Sequence, residues 1–385
     1  MKVWKWALPG LIAAVSLAGC KGFWNSLPSG GGGGGGSASG VFYIVSGTKV
    51  IGYSIASGAT TPTAVTSGSV TFTAVPQAMA VSPNGSFLYV SAGGIFVYAI
   101  GTGGTLTAVD NGSNGNISSD NPTAMAVDGT GTWLVESQSG TGVLGAIPIS
   151  SSTGGVDSTR TVQTASPNLP STTLTQMAVS PSNSTNPYVF VAMGSGGTEV
   201  IPFTAGSTGN PFGTAQNIAV VNSSGGANAI AVDPTNRLLY VGESAAVSGT
   251  QSGGLRVFTI GTKVSEVTGS PYASQGTGPK AILPTSDGNF VYVANISASS
   301  GNIAEYPIAT SGGAYSLGTL IGTISTGKST YGMAEDNTHT YVIAVNSVGS
   351  PDLSTYTFDT TTSGKLVAGQ TVSNSLNPTA IVAVP

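Results

Sequence analysis

Four residues of this 385-residue chain could do chemistry together. Lys280, Glu243 (in Tyr240-Val241-Gly242-Glu243), Glu136 (in Trp133-Leu134-Val135-Glu136) and Asn295 fall where an inner strand begins or a second strand ends. Antiparallel strands bring those two places to the same end of a sheet, so the four side chains are expected around one shallow polar funnel. A carboxylate there could activate water and an ammonium could steady a developing oxyanion, which makes Lys280, Glu243 and Glu136 the catalytic candidates. Lys280, Asn295 and Glu243 are equally the candidates for holding a ligand without turning it over. The alternative is surface charge kept for solubility, since so few titratable groups converge.

Elsewhere the chain offers little. His339 is the sole histidine. Aligning Ala78–Phe87 with Gly332–Tyr341 puts it at the Gly85 position of a hairpin turn, where a solvated side chain is the expectation and catalysis would need a partner. One histidine and one cysteine leave no cluster for zinc or another transition metal, so neither a metal site nor a cofactor is expected. Asp110-Asn111-Gly112-Ser113-Asn114-Gly115 partly imitates a calcium loop, but its twelfth position is Asn121 where a bidentate Glu is required. Gly101-Thr102-Gly103-Gly104 and Gly194-Ser195-Gly196-Gly197 lie between strands and not ahead of a helix, so they are hairpin turns and not phosphate cradles. Glu335 aligns with Val81 at the end of an otherwise apolar inner strand; it either faces a channel or belongs to the turn.

Composition says what kind of element must position these groups. Lys+Arg number 11 and Asp+Glu 15, about 7% of the chain where roughly a quarter is usual. The apolar share of 40% is too high for disorder, and 57 Gly with 21 Pro stay below the level of a low-complexity chain. A palette of Gly, Ser, Thr, Ala and Val suits turns and β-branched strands and is poor in the residues that fill helices. Without a basic cluster, no nucleic-acid partner is expected.

Repeats decide the fold. Ala78-Met79-Ala80-Val81-Ser82-Pro83-Asn84-Gly85-Ser86-Phe87-Leu88-Tyr89-Val90 reads as an apolar strand, a type I turn and a second strand. Related units begin at Ala124, Gln176, Ala229, Ala281, Gly332 and Ala380, at spacings of 46, 52, 53, 52, 51 and 48. Each continues into a third strand, such as Ile95–Ile100 or Leu255–Ile260, and a fourth such as Thr105–Val109. A period of about 50 with four antiparallel strands per unit is one propeller blade. At the ends, Ala380 to Pro385 is an inner strand without a successor, while Val41 to Ile55 supplies second and third strands without an inner one. The two halves complete one blade, predicting an all-β, seven-bladed propeller closed by pairing of the C-terminal strand with the N-terminal segment. Blades packed face to face account for the low charge, because most strands bury both faces. Pro148, Pro202 and Pro307, near the ends of third strands, predict a bulge or an unpaired N–H there.

The N-terminus carries a different signal. Lys2 and Lys5 precede an apolar stretch, Ala7 to Ala18, that is too short for a spanning helix and suits a secretory segment. It ends in Leu17-Ala18-Gly19-Cys20, which resembles the bacterial lipobox, and the chain's one cysteine stands at the lipidated position. The resemblance implies a lipoprotein signal peptide over 1–19, an acylated Cys20, export, and anchoring to a bacterial membrane facing the periplasm or the cell exterior. A plain signal peptide with an incidental cysteine is the alternative. Residues 20–40, with the unbroken run Gly30 to Gly36, form a tether whose reach is about 25 Å. The propeller occupies 41–385. Without Lys2 and Lys5 the chain carries 9 positive and 15 negative charges, so membrane contact is expected through lipid alone.

The run Gly278-Pro279-Lys280-Ala281-Ile282-Leu283, continued by Asp287-Gly288-Asn289-Phe290-Val291-Tyr292-Val293-Ala294-Asn295, resembles the repeat signature of the YVTN-type seven-bladed propellers, the lactonase family that includes 6-phosphogluconolactonase-like proteins. That resemblance covers 41–385 as a repeat pattern and implies the fold. It also implies hydrolysis of sugar lactones, for which members place His, Arg and Glu at the inner-strand entrances. This chain has Gln77, Thr123, Thr175, Asn228, Lys280, Tyr331 and Thr379 near those positions, with one cation among them. Three functions therefore stand: a lipid-anchored propeller that binds an unidentified small molecule or protein, a lactonase, and a structural cell-surface repeat protein acting through its Ser/Thr-rich faces.

Overall fold

The recurring Ala-x-Ala-Val segments have no polar face to give to water, and each becomes the innermost strand of a four-stranded antiparallel sheet. The computed structural model describes residues 39–385 apart from 110–114, 138–139, 167, 172, 183, 248–251 and 297–299. Lipidation of Cys20 and the Asp110 loop therefore lie outside the described residues. In chain order the innermost strands are Ala78–Val81, Ala124–Val127, Gln176–Val179, Ala227–Val232, Pro279–Pro284, Lys328–Glu335 and Ala380–Ala383, which number the blades one to seven. Seven sheets in this arrangement form the expected propeller, with no α-helix among the described residues.

Blade seven closes the ring. Ala380–Ala383 pairs with Ser39–Ser46, matching Phe42 to Ala383 and Val45 to Ala380, and Lys49–Ala56 and Thr63–Thr71 complete the sheet. Apolar clusters straddle neighbouring blades; Tyr43 and Val382 of blade seven pack with Val90 and Val97 of blade one.

Turn chemistry repeats with the strands. Gly85, Gly131, Asn236, Gly288 and His339 all adopt positive φ, between 55° and 71°, and each N–H bonds back three residues. His339 is thus the left-handed residue of a hairpin turn, as the alignment with Gly85 expects. Asp128 and Asp336 cap their turns by accepting the backbone N–H groups of Trp133 (2.6 Å) and Tyr341 (2.7 Å). These carboxylates serve the fold.

The third-strand prolines mark a break in the fourth strand and not a bulge in the third. Pro148, Pro202 and Pro307 each remain in register with the second strand. Having no N–H to offer outward, they interrupt the outer ladder; in blade five the fourth strand splits into Ala314–Leu317 and Gly322–Ser325 on either side of Pro307.

Blades are also stitched by tyrosines. From the second strand of one blade, Tyr43, Tyr89 and Tyr292 donate to the carbonyls of Gly104, Gly154 and Gly364 in the next, each at 2.9 Å. Two residues earlier on their strands, Tyr188 and Tyr341 do the same to Gly261 and Ala59. Tyr240 occupies the position of Tyr89 and Tyr292, but the facing hairpin in blade five runs on to Gly312 and Gly313, and its buried hydroxyl has no partner. Tyr292→Phe should therefore cost about 1 kcal/mol, whereas Tyr240→Phe should be neutral or stabilising because it removes an unsatisfied buried group. Parallel melting curves check this, and equal losses for the two variants would contradict it.

Candidate functional site

The channel mouth is built by β-bulges. In blades four, five and six the innermost strand carries one extra residue against the second strand, at Asn228, Lys280 and Tyr331. A bulged residue leaves the ladder and its side chain is re-aimed, here at three of the seven entrance positions expected from the sequence. Gln77, Thr123, Thr175 and Thr379 occupy the remaining four, and all seven are half-buried.

Lys280 is the cation of this ring. Its ammonium lies over the Tyr331 ring, 5.4 Å from the centroid, and among the described residues no carboxylate comes within ion-pair distance. Burial without a counter-charge pushes its pKa below the usual lysine value. Lys49, Lys263, Lys328 and Lys365 are by contrast exposed. The arginines differ in another way. Arg160, Arg237 and Arg256 each lie over an aromatic ring but pair with Asp157, Asp233 and Glu243.

Beside Tyr331 a cavity of about 590 Å³ is lined by Thr379, Ser46, Ser347, Ser375 and Asn377 among others. Its overhanging loop is pinned by buried Asp352, which accepts the N–H groups of Asn374 (2.6 Å), Leu376 (3.1 Å) and Asn377 (3.0 Å). Ser375 (φ 57°) and Asn377 (φ 45°) are held left-handed. Strain of this kind persists where surroundings over-determine the backbone, and here it supports neutral hydrogen-bonding groups at the mouth.

The other sequence candidates do not meet Lys280. Glu243 stands at the expected end of its strand, opposite Ala227, but is 1% exposed. It bonds Arg256 at 2.8 Å and the N–H of Val221 at 3.0 Å, and Arg256 continues to Glu266 at 2.7 Å. The ion pairs run across three strands of blade four and hold the backbone at Ala219 and Val221, on the segment that leads in from blade three. Asn295 holds the equivalent place in blade five, opposite Pro279, and donates to Ser274 O and Asn302 Oδ1. Among the described residues its buried Oδ1 has no partner; in blade six the equivalent Asn346 accepts from Thr330, whose counterpart in blade five is Pro279. Glu136 is fully buried on the second strand of blade two, opposite Gly145. Asn121 Oδ1 accepts from Ser91 and Gly93.

At the opposite end of the ring, Glu335 belongs to neither expected alternative alone. It ends the innermost strand of blade six, is buried, and accepts from the Ser286 N–H (2.8 Å) and hydroxyl (3.0 Å) in the turn of blade five. His339 Nδ1 meets Glu335 at 3.1 Å and Ser286 at 2.7 Å. Serine and carboxylate share one ring nitrogen, so the histidine cannot relay a proton between them, and the three form a clasp joining two blades. The Glu335 hydrogen bond raises the His339 pKa, with Asp336 and Asp287 adding their charge. A raised folded value means a contribution present below the ordinary histidine pKa of about 6.5 and lost as the pH climbs through the raised one. With the ring 55% exposed, the effect is held below about 1 kcal/mol. The wild-type melting temperature should fall by on the order of 1–2 °C across that window more than that of His339→Gln, and parallel profiles would contradict the clasp.

Gln176 is the functional residue that sequence reasoning missed. First in the innermost strand of blade three, it reaches past blade four to donate to Lys280 O (2.9 Å) and accepts from the Ile230 N–H (2.9 Å). The available signal was a Gln where two other repeats have Ala78 and Ala124. Among the described residues there is no cluster of three or more His, Cys, Asp or Glu able to hold a metal, and no helix long and apolar enough to cross a membrane.

The seven sheets define a seven-bladed β-propeller, a fold shared with a solved gluconolactonase. The periplasmic gluconolactonase of Pseudomonas aeruginosa is similar at 15% identity and TM-score 0.65, over 90% of this chain and 99% of that one. A candidate 6-phosphogluconolactonase from Bacteroides fragilis is similar at 12% and 0.65, over 92% and 100%. A protein from Lactobacillus plantarum is similar at 18% and 0.64, over 90% and 100%. At these identities the likeness establishes the fold alone. No protein-family model and no curated protein matches the chain.

Proposed function

We propose that this chain is a lipid-anchored, extracytoplasmic propeller that binds a small anionic ligand at the channel mouth without turning it over. The observation that carries the reading is Lys280, a half-buried ammonium with no carboxylate within ion-pair distance, held over Tyr331, whose ring also lines a cavity bearing four Ser and Thr hydroxyls and the Asn377 amide. Such a cation is offered to an incoming carboxylate or phosphate. The reading as a lactone hydrolase rests on the likeness to a gluconolactonase. Against it stands the placement of Glu243 and Glu136, since neither carboxylate reaches Lys280 to activate water there.

The path of the chain supports an orientation for the anchored protein. Ser39–Ser46 runs toward the mouth, with Phe42 opposite Ala383 and Val45 opposite Ala380, so the chain enters the ring at the far face. Gly40 lies against Asp336 of that face. With lipid on Cys20 and a tether reaching about 25 Å, the mouth would point away from the membrane. Calorimetry with gluconate, and with neutral glucose as control, tests the binding reading. Gluconate should bind, glucose should not, and Lys280→Ala should weaken gluconate by about tenfold or more; equal binding of gluconate by Lys280→Ala would overturn it.

A further inference from the structure

We infer that Gln176 is the positioning residue of the mouth: it ties the Lys280 backbone to blade four and fixes the bulge that presents the ammonium, an inference that rests on the binding reading above. A bulge at Lys280 removes that residue from the ladder and leaves its carbonyl without a strand partner. Two residues beyond the Asn228 bulge, the Ile230 N–H is likewise left facing the axis. The Ile230 N–H is buried and the Lys280 carbonyl part-buried, where an unmet donor or acceptor is costly. One primary amide matches both, because it offers a donor and an acceptor at one end of a three-bond stem. Gln176 spans 104 residues of sequence and a whole intervening blade to do so, and only 2% of it is exposed.

One consequence follows for the ligand. The amide, itself 2% exposed, sits against the Lys280 backbone where water would otherwise bond and adds no charge, so on this reading the ammonium stays poorly hydrated and uncompensated. A carboxylate at position 176 would still accept from Ile230 but would oppose the Lys280 carbonyl and neutralise the mouth. An amide is therefore the side chain that suits capture of an anion.

The test uses full-length protein with its lysines reductively ¹³C-methylated, and the Lys280 resonance identified by its loss in Lys280→Arg. Its NMR titration is compared in wild type, Gln176→Ala and Gln176→Met, the last retaining volume without hydrogen bonds so that a folded variant is available. The Lys280 midpoint should rise by about half a pH unit or more in Gln176→Ala as water returns, with the four exposed lysines unmoved. Gln176→Glu should raise it further and abolish the perturbation of that resonance by gluconate. A Lys280 midpoint identical in wild type, Gln176→Ala and Gln176→Met, whatever their melting temperatures, would reduce Gln176 to a structural residue and overturn the inference. Failure of gluconate to perturb Lys280 in wild type would instead sink the binding reading, leaving the comparison of midpoints intact.

Discussion

Deleting residues 376–385 is expected to abolish cooperative folding of the ring. The deletion removes the innermost strand of blade seven, whose Ile381 and Val382 are at most 1% exposed. Burial of those two side chains contributes roughly 1.5–3 kcal/mol each, and the lost ladder adds about 1 kcal/mol per hydrogen bond. The total is on the order of 5–10 kcal/mol, comparable with the whole net stability of a domain. A second penalty comes from Ser39–Ser46, which would become an apolar, unpaired edge facing the channel and ready to join another chain. The truncated protein should elute as aggregate and lack a sharp thermal transition. A monomer melting as wild type does would contradict closure by the C-terminal strand.

Arg256→Met should be the most damaging single substitution among the charged residues. It leaves Glu243, 1% exposed, with only the Val221 N–H to meet its charge. Breaking a buried pair from one side costs about 3–5 kcal/mol. Glu243→Gln should cost less, because Arg256 keeps Glu266 at 2.7 Å and the Ala219 carbonyl at 2.7 Å. Replacing both, as Arg256→Met with Glu243→Leu, should recover much of the loss, since an apolar pair of similar volume often substitutes for a buried ion pair. Urea denaturation of the three variants measures this order. If Arg256→Met kept wild-type stability while Glu243→Gln lost gluconate binding, Glu243 would belong to the mouth after all.

How far the sequence could be read depended on the range of the interactions involved. Blade count and ring closure were legible because strand, turn and strand recur locally, down to the left-handed position shared by Gly85 and His339. Lys280 was legible as the one cation among the entrance residues, and its place at the mouth needed only strand register. Side-chain direction was not legible. Glu243 and Asn295 sit at equivalent register positions beside the bulges, yet both turn to partners on outer strands or loops. One extra residue in the inner strand decides that, and a bulge leaves no composition signal. Gln176 was hidden for a related reason: its partners lie 54 and 104 residues away and are backbone groups, which carry no residue identity. The clasp of His339, Glu335 and Ser286 likewise forms only when the turns of two blades are set side by side.

The scarcity of charge thus has a structural destination. Asp128, Asp336 and Asp352 cap backbone, Asp157, Asp233, Glu243 and Glu266 pair with arginines, and Glu335 holds a neighbouring turn. The central claim is that the mouth retains a cation for binding and no base for hydrolysis. Its most direct test is proton release in a pH-stat when the purified protein meets a panel of sugar lactones, glucono-δ-lactone included, at neutral pH. The expected rate equals that of buffer alone for every lactone. Turnover above buffer that disappears in Lys280→Ala would contradict the claim and make the protein a lactonase.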